Sequence, residues 1–224
     1  MKILCISASN SANMGENSTS VRVCNLIKKI IGAKDPDIEV ETIQLMKEKI
    51  NFCLLCGDCY EDSECPYDQA FNSLYSKLKN SDAYFWVIPH YAPLPSKLLA
   101  LFEKMNEILY CDLIKIPHFL SPFEDKPAAI IAHGDMVEST DTLKYYHEAV
   151  IKPVANTLTS FGFDVVKYSD EYPNGIAFGI MDESCVRYND VSVFPEIVHN
   201  WDIIEERIYP LISEIVSSIS TLSA

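Results

Sequence analysis

The chain has 224 residues, 48% of them hydrophobic and 22% charged, with a formal net charge of −14. That length and apolar fraction suit one large domain with a buried core and exclude a disordered or fibrous chain. The acidic balance argues against nucleic acid, which needs concentrated Lys and Arg, and no apolar run approaches the roughly 20 residues of a membrane span. Met1-Lys-Ile-Leu-Cys-Ile-Ser7 enters a strand directly, without the regions of a signal peptide, so a cytoplasmic protein is expected.

The strand Lys2–Ser7 ends in a polar stretch running from Ser7 to Ser20. A helical pattern follows, with Val23 or Cys24, Ile27, and Ile30 or Ile31 on one face and Gly32 as a stop. Strand, hydroxyl-rich loop and helix together place backbone N–H groups and several hydroxyls at a helix N-terminus, which favours a phosphate. The plainer reading is that Ser18 or Thr19 only caps the helix.

Ile38–Leu45 reads as the second strand and Asp68–Lys79 as a helix, with Phe71, Leu74, Tyr75 and Leu78 at helical spacing. Ala83–Ile88 is continuously apolar, as in a strand covered on both faces, and it breaks at Pro89. The three prolines of Pro89–Pro95 forbid a regular element. Leu98, Leu101, Phe102, Met105, Ile108 and Leu109 trace an apolar helical stripe, which predicts core or a subunit interface. Pro127–His133 is a further buried strand, ending in the turn His133-Gly134-Asp135. A helical region from about Thr140 to Phe161 is kinked or divided by Pro153, and Phe163–Tyr168 is the last clear strand. Ser169–Pro195 reads as irregular and Ile197–Ile219 as helical.

Alternating strands and helices predict a parallel sheet with helices on both faces in a single domain spanning 1–224, with a cysteine-rich insertion at about 50–67 and a C-terminal extension at about 169–224. Ligands in such sheets sit beyond the carboxyl ends of the strands. The loops beginning at Ser7, Pro89 and His133 fall there. The first loop holds only Gly15 and has no lysine, which argues against both the dinucleotide fingerprint and the P-loop. A flavin mononucleotide suits what remains, because its phosphate, ribityl chain and ring each ask for one such loop.

Half of the eight cysteines lie between Cys53 and Cys65, spaced C-x2-C-x2-C-x5-C and followed by Pro66. Cys53, Cys56, Cys59 and Cys65 admit three readings: one [4Fe–4S] cluster, since the spacing approaches the ferredoxin run; a structural Zn2+; or uncoordinated thiols. The acidic neighbours Asp58, Glu61, Asp62, Glu64 and Asp68 suggest a docking face for a basic partner. Cys5, Cys24, Cys111 and Cys185 carry no assigned chemistry, and His118, His147 and His199 are given structural or solvent roles.

The opening Lys2–Ser9 with Asn17-Ser18-Thr19, the compact cysteine motif, Asp82-Ala83 leading to Pro89-His90-Tyr91, and Pro95-Ser-Lys97-Leu98 together resemble the NADPH-dependent FMN reductase-like family, and within it the iron–sulfur flavoproteins. The resemblance implies a flavodoxin-like, doubly wound, five-stranded parallel sheet of order 2-1-3-4-5. It implies that Ser7, Ser9, Asn17, Ser18 and Thr19 bind the FMN phosphate, that Pro89, His90, Tyr91 and Ala92 flank the ring and ribityl chain, and that His133, Gly134 and Asp135 close the other side. The family's loop commonly reads Ser-Gly-Ser-Pro-Arg; here Ala8 and Asn10 replace its glycine and proline, and the arginine is missing, leaving the phosphate charge to amides and the helix dipole.

The function expected is an FMN-binding oxidoreductase that passes electrons from NAD(P)H or a protein donor to a small acceptor or redox partner, with or without a [4Fe–4S] cluster. The alternatives are a non-catalytic electron carrier and a flavodoxin-like module with a structural zinc. No catalytic acid or base is named, since the cofactor does the chemistry. A homodimer or homotetramer is expected, with the Leu98–Leu109 helix, Phe119 and Phe123 as candidate interface.

Overall fold

The computed structural model describes residues 1–188, 190 and 195–222, without the side chains of 221 and 222. Its strands are β1 (Lys2–Ser7), β2 (Glu39–Gln44), β3 (Ala83–Pro89), β4 (Pro127–Val137), β5 (Asp164–Val165), β6 (Ile176–Ile180), β7 (Val186–Arg187) and β8 (Glu196–Ile197). The helices are α1 (Thr19–Lys34), α2 (Gln69–Lys79), α3 (Ser96–Lys115), α4 (Thr140–Tyr146), α5 (Lys152–Ser160) and α6 (Trp201–Leu222). The main sheet has the order β2-β1-β3-β4-β5 with every pairing parallel, as the flavodoxin-like expectation requires.

Successive strand residues point to opposite faces, and both faces of the inner strands are covered. Leu4, Ile6, Tyr84, Trp86 and Ile88 pack under α2, α3 and α5. Ile3, Cys5, Phe85 and Val87 pack under α1 and α6. Every residue of β3 is buried, which explains its unbroken apolar run.

The fifth strand position is filled in two pieces. β5 pairs with Pro127 and Ala128 of β4, and β6 pairs further along, with Ile131, Ala132 and His133. The segment read as irregular therefore contains a strand, although part of it lies outside the described residues. Five residues, Ile-Ala-Phe-Gly-Ile, are too short for a periodic signal. Re-entry occurs at Gly175, whose φ is +144° and where a Cβ would lie 2.4 Å from the Ile130 carbonyl oxygen, so only glycine fits. Residues after 169 are thus woven into the sheet, and α6 covers it with Ile204, Ile208, Leu211, Ile212 and Ile215. Arg207 of α6 grips Glu138 at the end of β4 through two hydrogen bonds of 2.9 Å.

Three other expectations change. β4 continues through His133, Gly134 and Asp135 to Val137, with an irregularity after His133, so those residues lie in a bulged strand end. The 140–161 helix is α4, one turn of π-helix at His147–Ile151, and α5, with Pro153 in the first turn of α5 where its missing N–H is harmless. The Leu98–Leu109 stripe and Phe123 are buried in the core of the chain itself, which leaves them no free interface, and Phe119 packs partly buried against that core.

Candidate functional site

The carboxyl ends of β1, β3 and β4 lie side by side, and hydrogen bonds join their loops. The Ala8 N–H donates to the Val87 carbonyl at 2.9 Å, and the His90 N–H to the His133 carbonyl at 2.7 Å. Tyr91 brings its hydroxyl to 3.4 Å from Ser9 Oγ, and the Asn10 amide donates to Ser96 Oγ at 3.4 Å. Ser7, Ser9 and Ser18 are buried, while Asn17, Tyr91, Ala92 and Asp135 face solvent. The loops expected to serve phosphate and ring are therefore in contact along one edge.

The first loop leaves polar groups unpaired. Ser18 occupies the N-cap position of α1, yet its side chain makes no capping hydrogen bond. The Oδ1 of Asn10 is buried without a partner. A helix start whose N-cap hydroxyl is not spent on capping, in a loop that also holds an unpaired amide oxygen, fits an anionic ligand carrying hydroxyl groups.

In the loop expected to flank the ring, His90 pairs through Nε2 with the Tyr145 hydroxyl at 3.0 Å and lies edge-on to its ring. His133 turns inward. Its Nε2 lies 2.7 Å from Ser20 Oγ, and its ring stacks on Phe178. Burial, reinforced by His199, holds the His133 pKa down to about 3, so the ring is neutral. Gly134 lies against Tyr146, where a Cβ would come within 2.1 Å of the hydroxyl oxygen. That hydroxyl accepts from the Met136 N–H at 3.1 Å, fixing the bulged end of β4.

The second region is the cysteine loop. Cys53, Cys56, Cys59 and Cys65 line one cavity of about 240 Å³, with Phe52, Phe71, Lys104 and Ile108 among its other walls. Among the described residues no three ligating side chains converge as they would on a bound ion. The four thiols thus share a cavity without forming a closed coordination sphere. Cys59 Sγ lies 3.9 Å from Cys111 Sγ of α3, and burial together with that neighbour pushes the Cys59 pKa up to about 12. Lys104 Nζ donates to Cys65 Sγ at 3.3 Å and pairs with the buried Asp68 at 3.2 Å. Lys115 fastens the loop from outside, donating to the Tyr60 and Glu61 carbonyls and to Ser63 Oγ.

Residues 1–159 match the family described as NADPH-dependent FMN reductase. The chain belongs to the NADPH-dependent FMN reductase family. An iron–sulfur flavoprotein of Methanosarcina thermophila is 30% identical over 83 residues, a stretch covering 34% of this chain and 44% of that relative, less than half its length. An oxidoreductase from Corynebacterium diphtheriae superposes with a TM-score of 0.58 at 14% identity, covering 98% of this chain and 97% of that one. RosB, crystallised with a formylated riboflavin phosphate intermediate, superposes with a TM-score of 0.60 at 12% identity, covering 100% of this chain and 80% of that one. At such identities the two structures speak for the fold.

Within this reductase-family frame, several residues take roles that sequence reasoning missed. Lys97, part of the family-like Pro95-Ser-Lys97-Leu98 motif, donates to the carbonyls of Leu45, Met46 and Glu48 and ties the end of β2 to α3. Lys104 interrupts the buried stripe between Leu101 and Ile108, and a lysine at an apolar-face position was the available signal. Cys111 and His199 carried no signal, because their partners lie 52 and 180 residues away.

Proposed function

We propose that this chain is an FMN-dependent NAD(P)H oxidoreductase that passes electrons to a small acceptor or a redox partner. The observation that carries this reading is the α1 start: a serine-rich loop with its N-cap hydroxyl uncommitted and an unpaired buried amide oxygen, hydrogen-bonded along the sheet edge to the loop after β3, which is bonded in turn to the end of β4. Ser7, Ser9, Asn17, Ser18 and Thr19 would hold the phosphate, assisted by the positive end of the helix. Pro89, His90, Tyr91 and Ala92 would flank the ring and ribityl chain, with His133, Gly134 and Asp135 behind them. His133 would act from below, through Ser20, because its ring is buried against Phe178. Bound FMN supplies hydride acceptance and release of electrons singly or in pairs. The chain's own contribution is to bind, orient and partly enclose the ring. No side chain need act as general acid or base for a hydride to reach the flavin.

Cys53, Cys56, Cys59 and Cys65 would hold a [4Fe–4S] cluster, which supplies one-electron transfer. Their common cavity and the absence of any disulfide among the described cysteines support this. Free thiols also suit a cytoplasmic setting. No described helix is long and apolar enough to cross a membrane.

A homo-oligomer would use the outer face of the C-terminal half of α3 and the loop after it, where Tyr110, Leu113, Ile114, Ile116 and Leu120 are exposed. Size-exclusion chromatography with light scattering decides this, and a monomer mass refutes it.

Anaerobic purification followed by a visible spectrum, with flavin, iron and zinc quantified, tests the main reading. Bound FMN and rapid oxidation of NADPH or NADH are expected. Bound FMN without turnover of either nicotinamide would make the protein an electron carrier, and a colourless zinc protein that refuses FMN would sink the proposal.

A further inference from the structure

Two histidines distant in sequence reach the first turn of α1. His133 of β4 pairs with Ser20, and His199, just before α6, brings Nε2 to 3.2 Å from Thr19 Oγ1. His199 is only 7% exposed, and its Nδ1 is buried without a partner. The ring stands edge-on to Phe178 at 5.7 Å and to Trp201 at 5.7 Å, and Trp201 carries the Arg22 guanidinium 4.1 Å from its ring centre. The imidazole is therefore packed from more than one side, with a single polar contact described for it.

That contact has a direction. A neutral imidazole carries one proton, and whichever form is present leaves the sealed Nδ1 as either an orphan donor or an orphan acceptor. Orphaned buried N–H groups are the rarer of the two. The proton accordingly sits on Nε2, which donates to Thr19 Oγ1. A hydroxyl that accepts this bond keeps its own proton free for an acceptor elsewhere. Thr19 is half-buried and opens α1, where the helix favours negative charge.

We propose that His199 is a positioning residue of the flavin phosphate site: its Nε2–H fixes the Thr19 hydroxyl as a donor toward the phosphate. This rests on the FMN reading above. It gives the segment leading into α6 a part in cofactor recognition and supplies hydrogen-bond polarity where the family's arginine is missing. Burial, and then Arg22, hold the His199 pKa down to about 4, so the ring adds no charge at neutral pH.

The test uses full-length chain freed of flavin and titrated with FMN and with riboflavin, which lacks the phosphate. His199→Gln carries an amide N–H near the Nε2 position, whereas His199→Asn carries one near Nδ1 and His199→Leu carries none. For a hydrogen bond serving a charged group, FMN affinity should fall about 10- to 100-fold in the Asn and Leu variants. Riboflavin affinity should stay within about threefold, and the Gln variant should bind FMN nearly as the unmodified protein does. If the Leu variant does not fold, the contrast between Gln and Asn still decides. Equal losses for both flavins, or equal behaviour of Gln and Asn, would overturn the role of His199 while leaving the FMN reading intact. An unmodified chain that binds neither flavin would overturn both.

Discussion

Lys104 Nζ lies 3.3 Å from Cys65 Sγ inside the protein. The lysine side chain is only 5% exposed, and Asp68, 2% exposed, sits 3.2 Å away on its other side. Burial alone would lower the Lys104 pKa, but Asp68 and Cys65 outweigh it and hold it above the ordinary value. Asp68 also accepts from the Phe71 and Asn51 N–H groups, so one carboxylate caps α2, fixes the entry to the cysteine loop and balances the lysine. Lys104→Met strands that carboxylate without its partner. Stability should fall by about 3–5 kcal/mol. Adding Asp68→Asn, which keeps a capping side chain, should recover a large part of the loss. Urea unfolding of the two single variants and the double variant measures this, and simple additivity would refute the coupling.

Gly134 and Tyr146 form a second close pair. A methyl group at 134 would collide with a ring that is fully buried and whose hydroxyl anchors the Met136 N–H. Gly134→Ala should cost about 1–3 kcal/mol through overpacking. In a Tyr146→Ala background the added methyl meets no ring, so the same substitution should cost much less there. A thermal-melting double-mutant cycle reads the coupling, expected at about 0.5–3 kcal/mol.

Cys59 and Cys111 are adjacent, but only Cys59 lines the cavity shared by the motif. The cluster reading therefore predicts that Cys59→Ala loses iron, from about four atoms per chain to almost none. Cys111→Ala should keep its iron. Metal analysis after anaerobic reconstitution separates the two, and retained iron in the Cys59 variant would remove that residue from the ligand set.

The parts legible in the sequence are those with short-range causes. β3 announced itself because burial on both faces demands an unbroken apolar run, and the α2 pattern survived because Phe71, Leu74, Tyr75 and Leu78 share one face. The shared edge of the three loops followed from topology, since loops after parallel strands must emerge together. The stripe from Leu98 to Leu109 was legible as apolar, but periodicity cannot say whether a partner subunit or the chain's own sheet covers it. Here the sheet does. Long-range polar contacts were not legible at all. The family resemblance sets His133 against the ring, but Ser20 and Phe178 draw its side chain inside. β6 was hidden because its five residues pair only after a detour that Gly175 closes.

The inward turn of His133 and His199 has a consequence for acid stability. In the unfolded chain each imidazole takes up a proton near its ordinary value of 6.5, whereas folding lowers His133 to about 3 and His199 to about 4. Below the unfolded value the unfolded state binds more protons, so stability rises with pH in that range. The contribution is complete above about pH 6.5 and is lost as pH falls from there toward about 4, with His133 continuing to lose toward about 3. Each histidine adds about one proton to the slope, or about 1.4 kcal/mol per pH unit. Between about pH 5 and pH 7 most carboxylates are already ionised in both states and add little. Urea unfolding toward the acid end of that window should give a slope approaching two protons from this pair, to which His147, whose pKa burial also lowers, adds. His133→Gln and His199→Gln should each remove about one, whatever they do to the stability at neutral pH. A slope unchanged in either variant would mean that the histidine titrates normally and lies open to water.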